Sequence, residues 1–439
     1  MTAARPSVRR GRPLRGRFAP PGDKSITHRA VLFGLLAEGE TVVRGPNPGA
    51  DCAASLAAAS ALGASVTRAE EAWLVGGPAD ALRAPAHDLD CGNSGTSMRL
   101  LCGIAARQPF RMTLAGDASL SRRPMARVVE PLRRMGARID AAAGERPPLR
   151  VEGGSLQGIA WECPVASAQV ATALVLAGLG ARGTTRVSLP GPARDHTERM
   201  LPAFGAPLGV HVHPDGSRTL EVRGGTRLRA CSLRVPGDAS AAAFFLAAAA
   251  AEPGARVTAE RMNVNPTRTG LLDVLAAMGA QVERAHERLE GGESVADVTV
   301  IGPDHLEPFD VPAAWVPRLV DEVPAWVVAA AAARGTSRVT GAGELRVKES
   351  DRIAALARHL AACGIDVREG NDGLELRGGE ARGAHIEVGL DHRIAMAFAA
   401  LGARTAEPMT FDDVSCVATS YPAFFETLAG LGAEVAWTA

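Results

Sequence analysis

A six-fold internal repeat restricts the fold of this chain more than any other feature. An apolar residue, a glycine and a small or apolar residue recur at Leu62-Gly63-Ala64, Met135-Gly136-Ala137, Phe204-Gly205-Ala206, Met278-Gly279-Ala280, Cys363-Gly364-Ile365 and Leu431-Gly432-Ala433. Successive glycines lie 73, 69, 74, 85 and 68 residues apart. In five copies a leucine (Leu132, Leu201, Leu275, Leu360, Leu428) stands three residues before the apolar residue. That pattern reads as the last turn of an amphipathic helix, closed by glycine in the left-handed region and followed by a strand.

Each repeat also holds a second helix, nearly apolar all round, as in Ala171–Leu179 and Ala241–Ala251. A helix without a polar face belongs in a domain interior. Its start is polar: Asp23-Lys24-Ser25, Asn93-Ser94-Gly95-Thr96, Ser167-Ala168-Gln169, Asp238-Ala239-Ser240, Asp321-Glu322 and Asp391-His392-Arg393. Strands at Thr41–Arg44, Arg111–Leu114, Thr185–Leu189 and Arg256–Ala259 follow. The repeating unit is therefore strand, helix, strand, buried helix. A length of 439 residues exceeds one ordinary core. Six units could form one solenoid, but two three-repeat domains match usual domain size better. The expected division falls near Pro236-Gly237, with a second crossover near Pro20-Pro21-Gly22. The first domain is then 22–235, and the second combines 1–21 with 236–439.

If an approximate three-fold axis relates the repeats of each domain, the six polar starts face one interdomain gap. Unpaired N–H groups and about half a positive charge at each helix start would make that gap a site for phosphates and carboxylates. Composition sharpens this expectation. Of 48 basic residues only Lys24 and Lys348 are lysine. A coding bias toward arginine explains the surface, but a lysine that survives it marks a place needing a compact, titratable ammonium.

Both lysines lie in dense motifs. Gly22-Asp23-Lys24-Ser25-Ile26-Thr27-His28-Arg29 puts Ser25 and Arg29 on one helix face, a donor set suited to a phosphorylated polyol. Gly92-Asn93-Ser94-Gly95-Thr96-Ser97-Met98-Arg99 is a polar turn in which Gly95 lets a ligand approach backbone N–H groups. Glu344-Leu345-Arg346-Val347-Lys348-Glu349-Ser350-Asp351-Arg352 spaces Lys348 and Arg352 as a like-charge helical pair, with Glu349 a carboxylate in a positive field. Asp321 is either a helix cap or a catalytic base. Pro124, after Arg123, suits the first turn of a helix, and His196 in Arg194-Asp195-His196-Thr197 reads as structural.

The same sequence excludes other classes. Seven scattered cysteines without a CxxC pair argue against a disulfide framework or zinc site and suit a reducing compartment. Cys91 and Cys102 read as small buried apolar residues. No metal-ligand spacing, Walker A, GxGxxG, GxSxG or HExxH pattern occurs, so neither metal nor cofactor is expected. The arginines at 5, 9, 10, 12, 15 and 17 precede no apolar run, which argues against a secretory signal, and no apolar stretch is long enough to span a bilayer. Zero formal net charge and 4% aromatic residues argue against a nucleic-acid-gripping repeat protein.

Taken in order, Gly22-Asp23-Lys24-Ser25…Arg29, Gly92-Asn93-Ser94-Gly95-Thr96…Arg99, Arg123-Pro124-Met125, Ser167-Ala168-Gln169, Arg346-Val347-Lys348-Glu349-Ser350-Asp351-Arg352 and Asp391-His392-Arg393 resemble the 3-phosphoshikimate 1-carboxyvinyltransferase family from about Leu14 onward. The resemblance implies a two-domain inside-out α/β barrel, each domain having three repeated units with buried parallel helices. It implies transfer of the enolpyruvyl group of phosphoenolpyruvate to shikimate 3-phosphate, in a cytoplasmic, cofactor-free monomer of the shikimate pathway. By resemblance Lys24, Ser25, Arg29, Ser167, Ala168, Gln169, Arg194, Asp321 and Lys348 contact shikimate 3-phosphate. Lys24, Gly95, Arg123, Gln169, Arg352 and Arg393 contact phosphoenolpyruvate. Asp321 is the base for the hydroxyl, while Glu349 and Lys24 handle protons at the enolpyruvyl end. Unsubstituted Gly95 implies competitive inhibition by glyphosate. Two positions depart from the pattern: Ala418-Thr419-Ser420-Tyr421-Pro422 lacks a lysine that many relatives have, and Glu344 stands where asparagine is common. The enolpyruvyl transferases acting on UDP-N-acetylglucosamine share the repeats but usually carry a loop cysteine, and none occurs between Cys102 and Cys163.

Overall fold

The computed structural model describes residues 5–78 and 81–438; positions 1–4, 79–80 and 439 of the expected domains lie outside it. The chain divides into two compact units. One comprises Gly22–Val235 together with Glu290–Glu293; the other comprises the chain up to Pro21, Pro236–Leu289 and Ser294 onward.

The first unit contains α1 (Lys24–Leu36), α2 (Ala50–Ala61), α3 (Gly95–Ala106), α4 (Ala126–Arg134), α5 (Ala168–Leu179) and α6 (His196–Met200). The second contains α7 (Ala239–Ala250), α8 (Gly270–Ala277), α9 (Val323–Ala330), α10 (Arg352–Ala362), α11 (His392–Gly402) and α12 (Phe424–Leu431). Odd-numbered helices are the apolar ones: every residue of α7 and of α11 is buried. Each unit has its own core, one containing Phe33, Trp73, Leu101 and Leu174, the other Phe244, Trp326, Leu360 and Phe398.

The repeat signature is a helix C-cap. All six glycines have positive φ, from 76° at Gly205 to 134° at Gly432. The residue after each glycine donates its N–H back to the residue five positions earlier, as in Ala137 N–H to the Leu132 carbonyl (3.1 Å) and Ile365 N–H to Leu360 (3.0 Å). That bond defines the Schellman motif, and the leucine seen in five copies is its acceptor residue. A side chain at these glycines would force an L-residue into the left-handed region.

Among the described residues six small sheets, three per unit, follow one plan. A short strand runs parallel to its neighbour, which pairs antiparallel on its other edge; examples are Leu89–Asp90 with Arg111–Ala115 and Asp310–Val311 with Thr336–Val339. Within a repeat the short strand leads into the buried helix, and the helix returns to the parallel partner. The two crossovers exchange this connection. Arg15–Phe18 precedes α1 but pairs with Arg256–Asn263, and Ser232–Arg234 precedes α7 but pairs with Ala37–Arg44. Each unit therefore closes its three repeats with a strand drawn from beyond a crossover.

Side chains cap five of the six buried helices. Asp23, Ser94, Ser167, Asp238 and Asp391 each accept a backbone N–H from the first turn. Helix α9 is the exception. Asp321 and Glu322 form a short 3-10 turn, and no side chain caps the helix.

Candidate active-site clusters

In the Gly22–Val235 unit the starts of α1, α3 and α5 carry an interlocked polar set. The Lys24 ammonium lies 2.9 Å from Asp51 Oδ2, on the first turn of α2. Arg29 is buried, and its guanidinium donates to Thr197 Oγ1 (2.8 Å), Thr172 Oγ1 (2.8 Å) and the Ser25 carbonyl (3.0 Å). Burial lowers its pKa to about 10, with Glu198 and Asp23 acting against that fall and Arg194 reinforcing it. Gln169, on α5, accepts from Arg99 Nη1 (2.7 Å) and donates to Thr96 Oγ1 (2.8 Å). Arg123 donates to Asn93 Oδ1 at 2.6 Å.

Gly95 sits between those cations. A Cβ there would lie 2.8 Å from Arg99 Nη1 and 3.1 Å from Arg123 Nη1. Only hydrogen on that carbon leaves both guanidiniums where they are. Beneath the cluster a chain of hydroxyls runs inward, Ser94 to Ser97 (2.9 Å), Ser97 to Ser55 (2.8 Å) and Ser55 to His28 Nδ1 (2.9 Å). Burial, then Lys24 and Arg29, hold the His28 imidazole well below its ordinary pKa.

In the other unit the residues converge on Asp321. Its Oδ1 lies 3.3 Å from Lys348 Nζ and 3.7 Å from Arg352 Nη1, and its carbonyl accepts from Arg393 Nη1 at 2.7 Å. Buried Arg352 also grips Asp391 through two bonds of 2.9 and 3.1 Å, and bonds Glu349. Burial acts to lower its pKa, but Asp391, Glu349 and Asp321 outweigh that and raise it. Ser350 donates to Asp391 as well, at 2.8 Å. Behind Asp321 the buried Glu322 accepts from Ser240, and Arg268 donates to Ser240 and Asp238 (2.9 Å each).

Comparison with known proteins decides between the readings. The chain matches the family model for EPSP synthase (3-phosphoshikimate 1-carboxyvinyltransferase) over residues 8–428. It belongs to the EPSP synthase family. Among curated members, the 3-phosphoshikimate 1-carboxyvinyltransferase of an Anaeromyxobacter species is 51% identical over 97% of this chain and 98% of the relative. That of Alkalilimnicola ehrlichii is 49% identical over 96% and 94%. A solved EPSP synthase from Acinetobacter baumannii superposes with a TM-score of 0.86 at 43% identity, covering 99% of this chain and all of that one. The enolpyruvyl transferase NikO from Streptomyces tendae, at 18% identity and a TM-score of 0.78, shares the fold.

The structure corrects two local expectations and closes one of the two alternatives at Asp321. Pro124 is not in the first turn of a helix; it precedes Met125, the residue before α4, and Arg123 is extended as a pre-proline residue prefers. Lys348 and Arg352 are not stacked on one helix, because Lys348 ends a 3-10 segment (Gly343–Val347) and α10 begins at Arg352. Their charges meet on Asp321 instead. Asp321 itself is no cap. Of the two departures from the family pattern, Glu344 is exposed, and the Thr419 hydroxyl is bonded to the Cys416 carbonyl at 2.6 Å. Cys91 and Cys102 are buried, with thiols pushed up to about 12 by burial. Among the described residues no group of His, Cys, Asp or Glu could hold a metal, and no helix is long and apolar enough to cross a membrane.

Sequence reasoning missed Asp51, Thr172, Thr197 and Glu322 as members of these clusters. Asp51 and Thr172 lie outside the quoted motifs, and Thr197 ends a segment read as structural. Helical spacing alone held a clue for Thr172, four residues after Ala168.

Proposed function

We propose that this chain transfers the enolpyruvyl group of phosphoenolpyruvate to the 5-hydroxyl of shikimate 3-phosphate, releasing phosphate, through the residues of these clusters. The observation carrying the reading is that each of the two lysines pairs with a carboxylate beside a buried-helix start: Lys24, the first residue of α1, with Asp51 on α2, and Lys348 with Asp321, just ahead of α9. An ammonium–carboxylate pair can hold, give and accept protons beside anionic substrates.

In the proposed division of labour, Lys24, Ser25, Arg29, Ser167, Ala168, Gln169, Arg194, Asp321 and Lys348 receive shikimate 3-phosphate. Lys24, Gly95, Arg123, Gln169, Arg352 and Arg393 receive phosphoenolpyruvate. Cations at both sites offset the repulsion between two anions and hold the reacting atoms together. Asp321 takes the proton of the attacking hydroxyl, whose oxygen bonds to C2 of phosphoenolpyruvate as the methylene carbon gains a proton. The resulting tetrahedral adduct loses phosphate by cleavage of the C2–O bond. The methyl group returns its proton, restoring the double bond. Glu349 and Lys24 carry protons at the enolpyruvyl end. We propose a monomer, acting in the cytoplasm.

The test is phosphate release from phosphoenolpyruvate with and without shikimate 3-phosphate. Release only in the presence of both is expected. Asp321→Asn and Glu349→Gln should each lower kcat by roughly 10²–10⁴-fold, the usual worth of positioned acid–base groups. Near-normal turnover in both variants would end the assignment.

A further inference from the structure

Arg29 is held unlike the site arginine of the other unit. At 2% exposure it is out of solvent, yet its hydrogen-bond acceptors are three uncharged oxygens. Two belong to threonines on different helices, Thr172 on α5 and Thr197 on α6. Both threonines are themselves buried.

One proton assignment satisfies the whole group. Thr172 donates its hydroxyl proton to the Ala168 carbonyl (2.7 Å). The 2.6 Å contact between the threonine oxygens then requires Thr197 to donate to Thr172. Each hydroxyl is left with a lone pair for the guanidinium, Thr197 for Nε and Thr172 for Nη2. The dipoles therefore align with their negative ends on Arg29, and the chain terminates on the first residue of α5. Ser25 takes one N–H from Nη1. Three of five N–H groups are used, so one N–H on each η nitrogen remains for a ligand.

Helix α6 is fixed so that Thr197 cannot drift. The adjacent His196 is buried with Nδ1 2.7 Å from Glu293 Oε1, and Arg199 bonds the Gly292 carbonyl at 3.2 Å and Asp195 at 2.9 Å. A carboxylate in place of either threonine would also hold Arg29, but would neutralise it. Hydroxyls orient a guanidinium and leave its charge for an incoming anion.

We propose that Thr172 and Thr197 are positioning residues for substrate recognition: their hydroxyls aim the buried Arg29 at the phosphorylated shikimate without neutralising it. The inference rests on the proposed assignment of Arg29 to that substrate.

Steady-state kinetics and calorimetric binding of shikimate 3-phosphate alone test it on Thr172→Val, Thr197→Val and the double variant. Losing a hydrogen bond to a charged group should raise KM and Kd for shikimate 3-phosphate about tenfold per threonine. KM for phosphoenolpyruvate should stay within about twofold, since Arg29 is not assigned to it. Thr172→Ser and Thr197→Ser should restore affinity, which a packing role for the methyl group would not allow. If a valine variant does not fold, Thr→Ala at the same position reads the same quantity. Valine or alanine variants that bind shikimate 3-phosphate normally overturn the proposal, as does a loss shared equally by both substrates and not rescued by serine. Arg29→Ala separates the two layers. Unchanged affinity in that variant means the substrate assignment has failed; lost affinity there with normal binding in the threonine variants means the positioning role has failed.

Discussion

Arg29 and Arg352 are two buried guanidiniums, one in each unit, and they are solvated in opposite ways. Arg29 rests on two hydroxyls and a carbonyl, and burial brings its pKa down to about 10. Arg352 is wrapped by Asp391, Glu349 and Asp321, which raise its pKa against the effect of burial. The partner decides what the cation is for. Neutral oxygens leave the whole positive charge for an anion to claim, whereas carboxylates offset part of it. Arg29 is thereby left able to take an anion, the role proposed for it. Arg352 instead sits among three carboxylates that fix its position, so an anion reaching it meets a cation that is partly compensated. The two arginines hold different places in the repeat, Arg29 in the second turn of a buried helix and Arg352 at the start of the outer helix α10.

The contrast is most exposed at Asp391, which caps α11 and accepts two bonds from Arg352. Asp391→Ala leaves a buried guanidinium short of its main counter-charge and should cost about 3–5 kcal/mol of stability, read from denaturant midpoints. Arg29→Met removes a charge that has no hydrogen-bonded carboxylate, and should cost clearly less while abolishing binding of shikimate 3-phosphate. Equal stability losses at the two sites would erase the distinction.

A smaller effect sharpens the side of the comparison that holds Arg29. Gly95→Ala places a methyl group 2.8 Å from Arg99 Nη1 and 3.1 Å from Arg123 Nη1, so both must yield by a few tenths of an ångström or more. Misplaced positioning groups are costly, and KM for phosphoenolpyruvate should rise roughly ten- to a hundredfold. Inhibition by glyphosate should weaken in parallel, while the melting temperature changes little because the contacts are with movable side-chain ends. Unchanged KM and inhibition would remove Gly95 from the proposed site.

These two arginines also mark how far the sequence could be read. The repeat was legible because a Schellman cap demands glycine in the left-handed region at Gly63, Gly136 and their counterparts, and few other residues satisfy that demand cheaply. Helix starts were legible because Asp and Ser cap through their own side chains. Asp321 broke the rule: it sits in a 3-10 turn whose next residue, Glu322, accepts from Ser240, 82 residues away, a contact local propensity cannot encode. The supports of Arg29 were hidden for the same reason: Thr172 and Thr197 lie 143 and 168 residues away along the chain. Threonine in a buried helix looks like packing until the guanidinium it faces is known.

The smallest expected effect concerns His28, which lies under the cationic cluster and bonds Ser55 through Nδ1. Burial and the charges of Lys24 and Arg29 lower its pKa well below the ordinary value, so the folded protein keeps it neutral. The sign follows from linkage. Below a pH of about 6.5 the unfolded chain binds a proton that the native state refuses, so stability falls on acidification by at most about 1.4 kcal/mol per pH unit from this group. Above that pH both states are neutral and the contribution vanishes. His28→Asn keeps a partner for Ser55 and removes the titration. Unfolding measured between pH 5 and 8 should therefore show a shallower acid limb in the variant and the same plateau near pH 8. Parallel curves would mean that the cationic cluster tolerates one more positive charge, and that its cations are less closely set than their distances indicate.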